Sequence, residues 1–263
     1  MTMCDGAAAE RPASTAVSLD EAEWPAAVEV LNPGGTSPVV LVCEHASRHM
    51  PSLYRGLGLG HEDLARHIAW DIGAAAVTRG LSRQIDAVAY LAGYSRLLID
   101  LNRPLDAKSS IPERSEATDV PGNAGLTPDE RALRAERMFR PFHERIAADL
   151  HTREAEGRPT RIVSIHSFNP VFLGKARPWH AGVLFDRSRA LADVIMTRLA
   201  ADGALFVAAN EPYVVSREED YALLVHGQDR GHDAVLIEIR NDLISDDAGV
   251  AEWIGRMSEA LQP

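Results

Sequence analysis

The sequence predicts an α/β fold in one domain, built around a mixed or mostly parallel sheet. Three observations lead there. First, three well-separated runs are apolar, rich in β-branched residues and closed by polar groups: Val39-Val40-Leu41-Val42-Cys43-Glu44-His45, Arg161-Ile162-Val163-Ser164-Ile165-His166-Ser167 and Ala234-Val235-Leu236-Ile237-Glu238-Ile239-Arg240. That is the pattern of strands buried on both faces. Second, stretches with helical spacing alternate with strand-like stretches and nothing repeats, which is the order of an α/β sheet. Third, a chain of 263 residues can bury about three quarters of its unfolded surface, so one core suffices.

The elements follow in order. Residues 1–37, rich in Ala, Pro, Ser and acidic groups, are expected to form a flexible tail and a short lead-in segment, with only Trp24 to Leu31 apolar enough to dock. Residues 38–263 carry the domain. After the first strand, Gly56-Leu57-Gly58-Leu59-Gly60 punctuates a loop. His61 to Leu81 predicts a helix, because Leu64, Ile68, Ile72, Ala75, Ala76 and Leu81 follow helical spacing. Ile85 to Leu91 and Arg96 to Leu101 read as strands, the second stopped by Pro104. Asp106 to Leu126 holds Pro112, Pro121, Gly122 and Gly125 and is too long for a connecting turn, so it is a candidate wall or lid. Thr127-Pro128-Asp129-Glu130 has the N-cap, early proline and acidic first turn of a helix start, and that helix can run to Arg153. Strands are expected at Gly182 to Asp186 and Leu205 to Ala209, with helices at Ala190 to Ala201 and Ala248 to Leu261.

Composition narrows the function. The hydrophobic fraction of 46% and the charged fraction of 25% are those of an ordinary globular protein. A net charge of −11 argues against nucleic acid or an anionic membrane as partner. With no transmembrane-length apolar run and no signal-peptide pattern, a cytoplasmic location is the expectation. Two cysteines, Cys4 and Cys43, are poor evidence for a disulfide, and Cys43 inside an apolar run reads as a packed thiol rather than a nucleophile.

The strand ends carry the chemistry. In open α/β sheets ligands gather at the carboxyl ends of the strands, where His45, His166 and Glu238 would meet: two imidazoles and a carboxylate, the makings of a zinc site with a general base. A single histidine at a strand end is more often a hydrogen-bonded core residue, but two of them, each closing a buried run, favour a ligand pair. A third ligand is needed. Glu44 adjoins His45, but successive strand side chains point to opposite faces; Asp71 lies within Ile68-Ala69-Trp70-Asp71-Ile72-Gly73, where an unpaired carboxylate would be costly, and a metal or an arginine would account for it. Glu238, flanked by Ile237 and Ile239, is expected to be desolvated and raised toward the pKa of a general base, with an ion pair to Arg240 as the alternative. Asn102-Arg103 can form a fork for a substrate carboxylate, and Arg96 can point at the same cavity.

The segments Cys43-Glu44-His45-Ala46-Ser47, Ser95-Arg96-Leu97-Leu98-Ile99-Asp100-Leu101-Asn102-Arg103-Pro104 and Ser164-Ile165-His166-Ser167 resemble the N-formylglutamate amidohydrolase family over about Pro38 to Trp253. That family is similar in fold to zinc carboxypeptidases and to aspartoacylase. The resemblance implies a three-layer α/β/α domain with about eight strands. It also implies one zinc ion, or another divalent metal, on His45, Asp71 and His166, with Glu44 as the fallback ligand. Carboxypeptidases carry a glutamate three residues after the first histidine, where Arg48 stands here; the amidohydrolase family carries an aspartate in a comparable helix, and the resemblance implies Asp71 in its place. Glu238 is then the catalytic base, Arg96 the stabiliser of the oxyanion, and Asn102 and Arg103 the carboxylate clamp. Ser167, His180 and His226 are further candidate substrate-binding residues.

The activity implied is a metal-dependent amidohydrolase acting on a linear amide: water hydrolyses an N-acyl, foremost N-formyl, amino acid such as N-formylglutamate. The alternatives are a deacylase or peptidase on another N-acyl compound, or a binding protein with a vestigial site. The expected partner is a small anionic substrate, and the expected state a monomer or homodimer.

Overall fold

Alternate residues of the central strands bury on opposite faces of the sheet, and that sorting decides where the layers go. The computed structural model describes residues 23–201 and 203–262. In it β1 (Val28–Leu31), β2 (Val39–Cys43), β3 (Val88–Ala92), β4 (Arg161–Phe168), β5 (Ala181–Leu184), β6 (Val207–Ala209) and β7 (Asp233–Arg240) form one sheet of seven strands in the order β1-β3-β2-β4-β7-β5-β6, against about eight expected. Strands β3, β2, β4 and β7 are parallel, whereas β1 pairs antiparallel with β3, and β5 antiparallel with β7. The lead-in segment thus docks as an edge strand, while the tail from Met1 to Ala22, Cys4 included, lies outside the described residues.

One face carries Leu41, Cys43, Val163, Ile165, Val235 and Ile237 and is covered by α2 (Ala74–Gln84), α5 (Arg189–Leu199) and α6 (Asp247–Leu261). The other carries Val40, Val42, Ile162, Ala234 and Leu236 and packs on Met138, Phe139, Phe142, Ile146 and Leu150 from α4 (Arg140–Ala155) and the turn before it. Three layers result, each large apolar side chain contributing about 1.5–3 kcal/mol by leaving water. No helix among the described residues is long and apolar enough to cross a membrane.

The helix opening at Thr127 starts where expected: the Thr127 Oγ1 accepts the Glu130 N–H at 3.2 Å. It runs through α3 (Pro128–Arg134) and a wider π-helical turn at Ala135–Phe139 before α4. Pro141 lacks the N–H that would close on Arg137, which loosens the coil at that point. The predicted wall, residues 106–126, contains a two-residue hairpin (Arg114–Ser115 with Thr118–Asp119) and lines the cavity described below.

Two elements differ from expectation. His61 to Leu81 is not one helix: α1 spans only His61–Ala65, and α2 begins at Ala74 after Gly73 at φ +81°. Asp71 therefore stands on the loop before α2, where its N–H donates to the His45 carbonyl at 3.0 Å. Periodicity places apolar residues correctly but is blind to a break that drops one carboxylate into a site. Arg96 to Leu101 is buried but is no strand, because β3 already pairs with β1 and β2. Buried side chains take its carbonyls instead: Asn123 Nδ2 donates to Leu97 O at 2.8 Å and Arg134 Nη1 to Leu98 O at 2.9 Å.

Candidate metal centre

Glu44 follows Val40 and Val42 on the α4 side of the sheet, Ser164 and His166 share that side on β4, and Glu238 shares it on β7. The parallel register sets Glu238 directly beside His166, about 4.8 Å away along the sheet. His45, just past the end of β2, is tied to Asp71 through the main chain. Glu44, His45, Asp71, His166 and Glu238 are all buried, at the carboxyl edge of the parallel strands.

Three groups converge. His45 Nδ1 lies 3.3 Å and His166 Nδ1 2.9 Å from Asp71 Oδ2, and one ligand atom from each of the three residues falls within 4.8 Å of the others. The two rings meet edge to face at 89°, with centroids 4.7 Å apart. The far nitrogens are held by carboxylates: His45 Nε2 is 2.7 Å from Asp100 Oδ1, and His166 Nε2 is 3.0 Å from Glu44 Oε2, whose Oε1 accepts the Ser164 hydroxyl at 2.9 Å. A metal-ligating histidine characteristically gives its other nitrogen to a carboxylate, which fixes tautomer and ring. Glu44 thus stands behind His166 rather than in the triad. The Ser167 main chain also donates to Asp71 Oδ2 at 3.2 Å, while its hydroxyl donates to Ile72 O at 2.8 Å.

The electrostatics favour a cation there. Burial opposes a charged His166, but Glu44 and Asp71 outweigh it and hold the imidazolium well above its usual range. Burial likewise opposes charge on Asp71, yet His45 and His67 keep it well below the usual carboxylate range; Asp100 is lowered in the same way by His45 and Arg103. Two imidazole nitrogens and one carboxylate oxygen, backed by two further carboxylates, are a donor set suited to a divalent metal. Burial pushes Glu238 up to about 8, against the lowering effect of His166. Its Oε2 has no hydrogen-bond partner, and Arg240 pairs with Asp242 at 2.8 Å instead of with Glu238.

His45, Asp71, Asp100, His166 and Glu238 line a cavity of about 470 Å³. Arg96 enters it with Nη1 3.0 Å from Asp71 Oδ1 and Nε 3.6 Å from Asp100 Oδ2. Asn102 and Arg103 line it too; Asn102 Oδ1 accepts the N–H groups of Tyr221 and Ala222, and Arg103 Nε lies 3.1 Å from Glu219 Oε2. His180 and His226 do not reach it. His180 Nδ1 accepts the Phe206 N–H at 2.8 Å, and His226 is buried on His143, its Nε2 2.8 Å from His143 Nδ1. Arg48 lies over the Trp70 ring, and Cys43 is a buried free thiol raised by burial, as expected of core. A larger cleft of about 790 Å³ lies at the opposite edge of the sheet among Arg158, Arg161 and Arg187, and none of the triad lines it.

Reading the residues alone passed over three groups. Asp100 was legible as a carboxylate closing the apolar run Leu97-Leu98-Ile99. His67 stands four residues before Asp71, with Nδ1 3.5 Å from its Oδ1, and burial pushes it to about 4. Arg177 packs on Phe172 and Tyr213, two residues of the cavity wall.

Fold and site together define a class: a three-layer α/β protein with a candidate metal centre at the carboxyl edge of its parallel strands. The chain belongs to the N-formylglutamate amidohydrolase family, which it matches over residues 37–245. Its structure is similar to that of a gene product of Agrobacterium tumefaciens, with 40% identity, TM-score 0.88, and coverage of 92% of this chain and 95% of that one. The N-formylglutamate amidohydrolase of Ralstonia eutropha shares the fold, with TM-score 0.66 at 18% identity, over 90% of this chain and 96% of that one. None of the curated proteins compared matches this sequence.

Proposed function

We propose that the protein hydrolyses the amide of an N-acyl amino acid, foremost an N-formyl amino acid such as N-formylglutamate, with one zinc ion or another divalent metal held by His45, Asp71 and His166. The observation that carries this reading is the convergence of that triad with a buried glutamate, Glu238, in one cavity. A divalent cation there supplies Lewis acidity toward the amide carbonyl and makes water more acidic. Glu238 holds the proton taken from water and returns it to the leaving amine. Burial raises the Glu238 carboxyl to about 8, near the range in which one carboxyl can both take and give a proton. Arg96 faces the developing oxyanion, a contact for which one donor typically contributes about 3 kcal/mol, and also orients Asp71. Asn102 and Arg103 bind the substrate α-carboxylate, with Ser167 holding the turn beside His166. Asp100 and Glu44 fix the two imidazoles.

The test is formate release from N-formyl-L-glutamate beside N-acetyl and N-succinyl analogues, with metal content measured on the same sample. Release that disappears on chelation and returns with zinc supports the reading. Turnover that survives complete metal removal, or a protein that takes up no metal, ends it.

A further inference from the structure

Four arginines stand in or beside the cavity, and three are committed to carboxylates: Arg96 to Asp71 and Asp100, Arg103 to Glu219, and Arg114 to Asp119 at 2.7 Å. Arg177 differs. It follows a small hairpin (Val171–Phe172 with Lys175–Ala176), and its N–H donates to Pro170 O at 2.8 Å. Its guanidinium lies over the rings of Phe172 at 4.3 Å and Tyr213 at 4.9 Å, and Nη1 donates to the Tyr213 hydroxyl at 3.0 Å. Among the described residues it forms no ion pair.

Phe172 and Tyr213 both line the cavity that holds Glu238. Stacking uses the faces of a guanidinium and leaves its edges, where the N–H groups lie, open to an in-plane partner. Two rings and a hydroxyl therefore hold a planar fork against two residues of the cavity wall, with most of its five donors unspent. The carboxylates Glu116, Glu219 and Asp220 line the same space in a chain of net charge −11 and oppose a further anion. A substrate with a second carboxylate needs a second cation besides Arg103.

We propose that Arg177 is a specificity-determining residue that binds the side-chain carboxylate of an acidic N-acyl amino acid. This rests on the amidohydrolase reading above, with Arg103 and Asn102 taking the α-carboxylate. A neutral side chain of the same shape leaves the fork without a partner, so selection is by charge rather than by size.

The experiment compares N-formyl-L-glutamate with its uncharged near-isostere N-formyl-L-glutamine on wild type, Arg177→Gln and Arg177→Lys. Wild type should favour the glutamate compound. Arg177→Gln should lower the glutamate-to-glutamine ratio of kcat/KM on the order of tenfold, chiefly through KM, and Arg177→Lys should restore part of it. Equal loss on both substrates, an unchanged ratio, or no preference in the wild type overturns the proposal. Calorimetric binding of L-glutamate and L-glutamine to the same three proteins separates this from failure of the parent reading. If no formyl compound is hydrolysed the amidohydrolase reading falls, and a glutamate preference lost in Arg177→Gln still supports Arg177, whereas a ratio untouched by the substitution, or absent in the wild type, overturns it.

Discussion

The two faces of the same sheet have opposite chemistry, although they are built from alternating residues of the same strands. Toward α2, α5 and α6 the strands β2, β4 and β7 present Leu41, Cys43, Val163, Ile165, Val235, Ile237 and Ile239, hydrocarbon and one thiol from end to end. Toward α4 they begin with Val40, Ile162 and Ala234 and finish with Glu44, His166 and Glu238. A pleat of period two keeps the sets apart. The lesson is a division of labour: one face supplies rigidity, while the carboxyl end of the other carries Glu44 and His166, charged and paired with each other, and Glu238, which burial drives toward its neutral form.

Neighbours on β7 offer the sharpest way to break this contrast. Glu238→Gln should cost about 10²–10⁴ in kcat while leaving metal content at the wild-type level; retained turnover measured beside elemental analysis would remove Glu238 from its role as base. One residue earlier, on the apolar face, Ile237→Ala should lower unfolding free energy by about 2–5 kcal/mol in denaturant melts. Its kcat per folded molecule should stay near wild type, and a comparable loss of kcat would mean that the faces are not independent.

A smaller effect is expected behind the triad. Glu44→Gln keeps the shape but weakens the hold on His166 Nε2, so metal affinity in a chelator competition should fall about 10–100-fold. No change would place Glu44 outside the support of the site. The smallest effect concerns acid. Burial pushes His143 to about 3 and His226 to about 4, whereas unfolded histidine titrates near about 6.5. Below that value the unfolded chain binds more protons than the folded one, so these two groups lower stability as the pH falls from about 6.5 toward 4. Thermal midpoints of His226→Gln across that window should show a shallower slope than wild type, and an unchanged slope would refute the buried neutral pair.

Legibility differed between strands and loops for a physical reason. The runs ending at His45, His166 and Glu238 were readable because a strand buried on both faces must be apolar until its end, so a polar group there stands out. His61 to Leu81 and Arg96 to Leu101 depart from their local patterns because the first breaks at Gly73 between two helices and the second is buried without strand pairing under the side chains of Asn123 and Arg134. His180 and His226 matched the pattern of pocket residues by type and loop position, yet face a backbone amide and another histidine. Arg177 carried no signal as a binding residue, since Tyr213, 36 residues further on, joins it only through packing.

By itself, then, the order of residues determined the layered α/β class, the buried strands and the histidines and glutamate at their ends, because burial and backbone pairing act over a few neighbouring positions. Which carboxylate joins the imidazoles, which ones stand behind them and which arginine remains uncommitted were decided only in three dimensions. Those choices depend on distances between groups tens of residues apart, and no local pattern encodes them.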